Sequence, residues 1–376
     1  MKPTVQTSFN FPCPPGVSAA AHQKTIEQTM ELSRQDGGRV YSRATQVEQF
    51  AAEHLACLTQ TMGQDKWSKL NAALDANDDA VRELLGSYRA LPYPEDKIAA
   101  LAAANADKLR TLTTDLGIDL DSVTKLNADF VGKLALADAP APAGMKALLS
   151  AEQDVHKMLP IPATLWTFRS APYEGYYTYW ARWFHNGMSD ANGYSGLYIN
   201  PDTGEVGEVV SDLLWSGSRT SNDWGLLEGW GEFLLHYTMP VAGMLEVRVE
   251  LQCVRDRHSY SMDRPFGVVY PFTWADVKQN ISATYRDVRE TDRCETPLTS
   301  YHKYGSQESG ADTLANPGDI VWAHFYSDRV YAKNEVVGFC VGLHGRNEIS
   351  SCRNLSESIL YGDYQIRRVL IRSTGQ

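Results

Sequence analysis

The segment Asp223-Trp224-Gly225-Leu226-Leu227-Glu228-Gly229-Trp230-Gly231-Glu232 places three carboxylates, two tryptophans and three glycines within ten residues. Glycine lets a backbone approach a ligand closely. Tryptophan offers a flat apolar face suited to stacking on a sugar ring, and carboxylates accept hydrogen bonds from hydroxyls. Asp223, Trp224, Glu228, Trp230 and Glu232 are therefore the expected ligand-binding residues. Trp224 follows a polar run (218–223) and is expected to stack on a ligand. Trp230 stands two residues before a strand-like run and is expected to turn inward. Two of the acids could also serve glycoside hydrolysis, which needs carboxyls about 5–9.5 Å apart, a separation that spacing along one segment does not define. The competing account is a loop entering a core strand, with buried tryptophans and solvated acids.

No other motif fixes a reaction. The chain has no G-x-x-x-x-G-K-[ST], no G-x-G-x-x-G, no H-E-x-x-H and no G-x-S-x-G, so phosphate cradles, dinucleotide folds and common hydrolase signatures have no support. No histidine is followed two residues later by His, Asp or Glu. No metal site and no cofactor are expected. The six cysteines form no C-x-x-C pair and read as buried thiols rather than a zinc or disulfide framework. If one bridge forms, Cys340–Cys352 is the expected pair, through a hairpin over 342–347. Asn280-Ile281-Ser282 and Asn354-Leu355-Ser356 match the N-glycosylation pattern, which matters only in a secreted eukaryotic protein.

The elements that would position these residues fall into two regimes. Eight of the nine tryptophans follow residue 165. Ahead of that, the apolar spacing is helical. Phe50, His54, Leu55 and Leu58 form one stripe, and Val81, Leu84, Leu85 and Tyr88 another. Pro92 and Pro94 end that second helix. A third begins near Glu95, with its stripe interrupted at Asn105, and a fourth runs from Ser122 through Phe130 to Leu134. The Pro/Ala/Gly-rich stretch 137–144 reads as a linker, with a short helix expected over 146–158.

Past residue 165 the period becomes two. Leu245, Val247, Val249, Leu251 and Cys253 alternate with Glu246, Arg248, Glu250 and Gln252, which predicts a strand with one buried and one wetted face. Further strand-like runs cover 232–238, 267–272, 320–326, 336–343 and 366–371, with turn signals between them. The aromatic run 173–184 reads as a strand with one face in the core. Its other rings would form a stacking or membrane-interface surface if exposed. The expected fold is α+β and multidomain: an extended arm (1–18), a helical domain (19–160) and an aromatic-rich antiparallel β-sandwich, jelly-roll-like (161–376).

A formal charge of −11 argues against a non-specific nucleic-acid binder. No window approaches eighteen consecutive apolar residues, so no transmembrane segment is expected. The N-terminus has one basic residue and no apolar h-region, which is consistent with the cytoplasm or with export by a non-classical route. The leading functional expectation is a non-enzymatic recognition protein whose sandwich binds a carbohydrate or cell-surface ligand. Its helices would mediate assembly, with a homo-oligomer as one outcome. The alternatives are a toxin that uses the sandwich for targeting and the helices at a membrane, and a carbohydrate-active hydrolase.

Overall fold

The computed structural model describes residues 2–13, 15–87, 95–137, 166–185, 188–190, 196–210, 213–215, 223–263, 271–290 and 293–375. The expected linker from 138 onward, the helix over 146–158, the proline break at 92–94 and most of the run 267–272 lie outside them.

The chain opens with β1 (Thr4–Asn10), then α1 (Ala19–Met62), α2 (Gln64–Ser87), α3 (Glu95–Asp115) and α4 (Leu120–Ala137). Strands follow: β2 (Thr167–Arg169), β3 (Gly175–His185), β4 (Met188–Asp190), β5 (Gly196–Asn200), β6 (Glu205–Val210), β7 (Leu213–Trp215) and β8 (Asp223–Thr238). The rest are β9 (Gly243–Asp263), β10 (Trp274–Asp287), β11 (Cys294–Gly305), β12 (Glu308–Asp312), β13 (Ile320–Tyr331), β14 (Val336–Cys352) and β15 (Leu355–Gly375). A helical front thus precedes antiparallel sheets. No described helix is long and apolar enough to cross a membrane.

Helix ends follow local chemistry. Ser18 caps α1 by accepting the Ala21 amide at 3.2 Å, and Gly63 closes it at φ 84°, where a side chain would be strained. Asp119 accepts the amides of Asp121 and Ser122 at the start of α4, satisfying two donors that a helix leaves open. Gly37 and Gly38 fall mid-helix in α1, where glycine disfavours helix by about 1 kcal/mol relative to alanine.

One sheet has the order β1-β3-β8-β14-β10-β11. The second runs β12-β9-β15-β6-β5, with β13 also on β9 and β2 on β15. All recorded pairings are antiparallel. A shared apolar core lies between the sheets. Phe233, Leu235, Val277, Val341 and Leu343 reach it from the first, and Leu245, Val247, Val249, Leu251, Val369 and Ile371 from the second. The opposite face of the first sheet carries helices. Leu32, Val40, Ala44 and Val47 of α1 and Phe130 and Leu134 of α4 cluster with Tyr177, Tyr179, Trp183, Trp224 and Trp274.

Several expectations are corrected. The N-terminal arm is extended, but 4–10 is an edge strand paired with β3 from Thr4↔Arg182 to Asn10↔Tyr176. The aromatic run in β3 presents no free ring face. Tyr177, Tyr179 and Trp183 lie under the helices, while Trp180, with Tyr176 and Phe184 against it, joins the inter-sheet core. Cys340 and Cys352 are not bridged, because 342–347 is the middle of β14 rather than a hairpin. There Gly342 lets β14 lie close to β8, since a Cβ would collide with the Gly231 carbonyl. Asn354 is fully buried, and its amide donates to Thr273 Oγ1 and the Ser306 carbonyl, so that sequon is closed to modification in the folded chain.

The β9 alternation holds for the apolar residues and fails for the acids. Val249 is 1% exposed, but so little of Glu250 (7%) and Glu246 (0%) is exposed that neither is solvated. Arg368, opposite Glu250 on β15, forms an ion pair with it, and Arg372, Arg248 and His324 all contact Glu246. Val249→Ala should cost about 1–3 kcal/mol from lost burial and a cavity. Glu250→Ala should exceed the roughly 0.5 kcal/mol usual at exposed sites, because Glu250 is buried and paired with Arg368. Urea denaturation of both variants checks this: a neutral Glu250→Ala would mean the pairing adds nothing.

Candidate functional site

Strand β8 begins at Asp223, so the glycine-spaced segment is strand rather than loop. Its pleat separates the five expected ligand residues. Trp224, Glu228, Trp230 and Glu232 share the face that receives α1, whereas Asp223 falls on the other face and is fully buried. Asp223 therefore does not join Glu228 and Glu232 in one constellation.

The two tryptophans are equivalent in burial, at 2% for Trp224 and 5% for Trp230. The expectation of an exposed stacking ring at Trp224 is overturned because α1 covers it. The Arg43 guanidinium of α1 lies 5.4 Å from the Trp224 ring centroid, and Trp183 packs beside it at 4.4 Å. The Trp224 indole N–H donates to Glu348 Oε1 at 2.6 Å, and Arg43 donates to the same oxygen at 2.8 Å. Trp230 stacks on His344 at 4.3 Å with a 5° interplanar angle, and Arg293 covers it at 4.8 Å.

The acids are engaged with cations. Arg293 donates to both Asp36 oxygens at 2.8 and 3.0 Å and, through Nε, to Glu232 Oε1 at 2.9 Å. Arg286 donates twice to Glu232 Oε2 at 3.2 Å. Tyr177 donates to Asp36 Oδ2 at 2.9 Å, and Arg39 also pairs with Asp36. Burial pushes the Asp36 carboxyl up, but the Arg293 charge and hydrogen bonds outweigh it and hold the group below the usual range. Beside this chain, His344 bridges Glu228 at 3.2 Å and Glu295 at 3.0 Å. Burial lowers its affinity for a proton, yet the two carboxylates prevail and lift it to about 10. Glu295 is raised by burial and lowered further by His344 and Arg293, to about 2.

Asp36, Glu228, Glu295 and His344 stay ionised and paired through the neutral range. Glycoside hydrolysis instead needs one raised acid and one free carboxylate across a gap that admits substrate. The segment singled out in the sequence is thus the seat of a helix.

The outer face of the second sheet carries side chains that solvent reaches. Opposed positions on β13, β9 and β15 form rows across it: Trp322–Glu250–Arg368, His324–Arg248–Leu370 and Tyr326–Glu246–Arg372. Phe168 of β2 stands opposite Leu370 and is 50% exposed. Trp166 is held between two guanidiniums, Arg372 at 4.5 Å and Arg248 at 4.9 Å. Arg368 lies 5.4 Å from the half-buried Trp322 ring. Burial pushes the Glu246 carboxyl up, and hydrogen bonds from His324, Arg372 and Arg248 overcome it, bringing the group to about 2. The face therefore offers flat rings fixed among ionised donors and acceptors. Its sequence signal was the alternation Ile320, Trp322, His324, Tyr326 against Val321, Ala323, Phe325.

No protein-family model matches the chain, and no curated protein does. Among solved structures, an isomalto-dextranase of Arthrobacter globiformis T6 complexed with panose is 7% identical over 54% of this chain and 36% of its own, at TM-score 0.12. The present chain thus spans about a third of that enzyme. A CBM4 structure is 9% identical over 47% of this chain and 86% of its own, at TM-score 0.13. The N-terminal CBM22-1–CBM22-2 tandem of Paenibacillus barcinonensis Xyn10C is 11% identical over 57% and 42%, at TM-score 0.13. Scores this low transfer neither fold nor residues.

Two predictions follow from the helix seat. Trp224→Ala and Trp230→Ala should each destabilise by roughly 3–5 kcal/mol, as large buried aromatics do. Equilibrium denaturation showing either variant near wild type would place that ring outside the packing described. The second concerns pH. His344 is raised from 6.5 to about 10, so its contribution is complete below pH 6.5 and is lost as pH climbs through 10. Glu295, lowered from 4.5 to about 2, contributes above 4.5 and loses that as pH falls towards 2. Melting temperature should therefore decline on both sides of neutrality, and His344→Gln should flatten the alkaline decline.

Proposed function

We propose that this is a non-enzymatic recognition protein that binds a carbohydrate, free or on a cell surface, on the outer face of the sheet containing β9, β13 and β15. The observation that carries the reading is the outward pair of half-buried Trp322 and half-exposed Arg368, with exposed Phe168 and half-buried Tyr326 on the same face. Sugar recognition needs a flat apolar surface beside fixed hydrogen-bonding groups. Arg368 is held by Glu250 and Arg372 by Glu246, so both need little ordering when a ligand arrives, which limits the entropy cost of binding.

Two features support a sandwich of the jelly-roll-like kind expected from the sequence. The chain alternates between sheets over β8–β9–β10 and over β13–β14–β15, and the sheets share one core. With α1 seated on the first sheet, the second sheet supplies the outer face used here. The helical region 19–160 is assigned to assembly, including self-association into a homo-oligomer. Membrane action by those helices, as in a toxin, would require α1 to leave its ion pairs on the first sheet. A hydrolase built on Asp223, Glu228 and Glu232 has no geometric support, because Asp223 faces the other way and Glu232 is held by two arginines.

Trp322→Ala should weaken carbohydrate binding by about tenfold or more, as loss of an aromatic anchor does, while the melting temperature moves by only a few degrees. Glycan-array screening followed by titration calorimetry tests this. Equal affinity of Trp322→Ala and wild type for the same glycan would remove this face from the reading.

A further inference from the structure

The outer edge of a sheet carries backbone donors and acceptors that can pair with another chain. Folded proteins guard such edges with charge, proline, bulges or very short strands. Among the described residues every edge but one is guarded. β11 carries Pro297, Lys303 and a register shift against β10. β13 carries Asp328, Arg329 and a register shift against β9. β2, β4, β5, β7 and β12 span only three to five residues each. β1 is the exception. Its seven residues, Thr4-Val5-Gln6-Thr7-Ser8-Phe9-Asn10, keep an unbroken register on β3. No Asp, Glu, Lys or Arg occurs between Lys2 and Lys24. Thr4, Gln6, Thr7, Ser8 and Asn10 are exposed, and β1 ends its sheet, so no described strand pairs with its outer edge. A chain of formal charge −11 repels its own copy, and a charge-free edge is where two copies can approach.

The strand is also complementary to itself. Antiparallel copies related by a two-fold axis through Thr7 set Val5 opposite Phe9, Gln6 opposite Ser8 and Thr4 opposite Asn10. A β-branched residue against an aromatic one is a favourable cross-strand pair, and no like charges meet. Val5 and Phe9 lie on the helix side of the sheet, against the cluster that holds α1. Helix α1 runs beside β1. Ser33 meets the hydroxyl of Tyr177, which stands opposite Phe9, at 3.4 Å, and the Tyr41 hydroxyl donates to the Pro3 carbonyl at 3.4 Å. Tyr41 is 45% exposed, and Met30, about three turns earlier on the same stripe, is 48% exposed. The two-fold that joins the strands turns these apolar flanks of α1 towards each other, which adds side-chain contact to the main-chain pairing.

We infer that β1 is a dimerisation edge: two copies of this chain pair β1 to β1, antiparallel about Thr7, into one continuous sheet with both α1 helices on the same side. Such a contact uses the same surface on both copies and closes on itself, so it consumes the open edge of each. The inference is independent of the carbohydrate reading. It gives the homo-oligomer of the preceding subsection a joint outside the helical region.

The test is analytical ultracentrifugation of the full chain as wild type, Thr7→Lys and Ser309→Lys. Thr7 is exposed and meets its own counterpart on the axis, with Cβ atoms about 5 Å apart, so Thr7→Lys sets two like charges face to face. Wild type should sediment as a dimer. Thr7→Lys should weaken dimerisation by about tenfold or more, while its circular dichroism stays that of wild type. Ser309→Lys, on the short β12 edge, should leave the dimer unchanged. Cross-linking supplies a second readout. In a Cys13→Ser, Cys57→Ser background, which removes the two exposed thiols, oxidation of Thr7→Cys should give a covalent dimer. Thr4→Cys should not, because its counterpart lies about 20 Å away at strand rise. If Thr7→Lys dimerises like wild type and position 7 cross-links no better than position 4, the joint is overturned and self-association is left to the helices. A wild type that is monomeric at every concentration overturns both, and leaves the edge to a foreign strand or to none. Growth into open polymers instead of dimers overturns the closed two-fold.

Discussion

The seating of α1 on the first sheet depends on a chain of buried charges, Asp36–Arg293–Glu232–Arg286. Side chains of all four are at most 2% exposed. Withdrawing such groups from water is costly, and the interior compensates only if every charge meets its partners with good geometry. That condition is strict here, because Asp36 comes from the helix, Glu232 from β8, Arg286 from β10 and Arg293 from just before β11. Displacing α1 would leave Arg293 with half its partners in an apolar setting. The ions add less to net stability than to placement: they favour one seat for the helix over others that its apolar stripe alone would allow.

That seat decides which surfaces remain. The first sheet has an aromatic, partly acidic face that resembles a ligand platform when considered strand by strand. With α1 in place the platform becomes an interior, and Trp224 and Trp230 stack on arginine and histidine rather than on a ligand. On the second sheet charged residues also surround tryptophan, but Trp322, Phe168 and Arg368 stay within reach of solvent. Similar residue types thus meet two settings, and the layer above them determines which.

Local periodicity made much of the architecture legible. The four helices, the helix-to-strand change and the inward set Leu245–Cys253 depend on neighbours three, four or two residues apart, so the sequence displays them directly. What escaped depends on distant partners. Glu246 and Glu250 read as solvated because Arg372 and Arg368 lie more than a hundred residues away in sequence. Residues 4–10 read as a loose arm because their strand partner is at 176–182. The Gly342–Asn347 run resembled a turn because Gly342 marks close strand approach, which local composition does not distinguish from chain reversal. Glu228 and Glu232 are neighbours on one face, as strand spacing implies, but which cations they meet could not be seen from their own segment.

Helix α1 has a mechanical consequence. Its 44 residues span about 66 Å at 1.5 Å per residue. The first half lies on the sheet, and the second carries Leu58 and Met62 into the cluster formed with α2, α3 and α4. One continuous rod therefore joins the bundle to the sandwich, and a load applied to either end passes along its hydrogen-bonded backbone. The Gly37-Gly38 pair follows directly on Asp36, the residue that pins the rod to Arg293. Lacking side chains to stiffen the turn, these two residues are the most compliant point of the rod, and bending imposed on the bundle would concentrate there, beside the anchor, instead of spreading into the sheets.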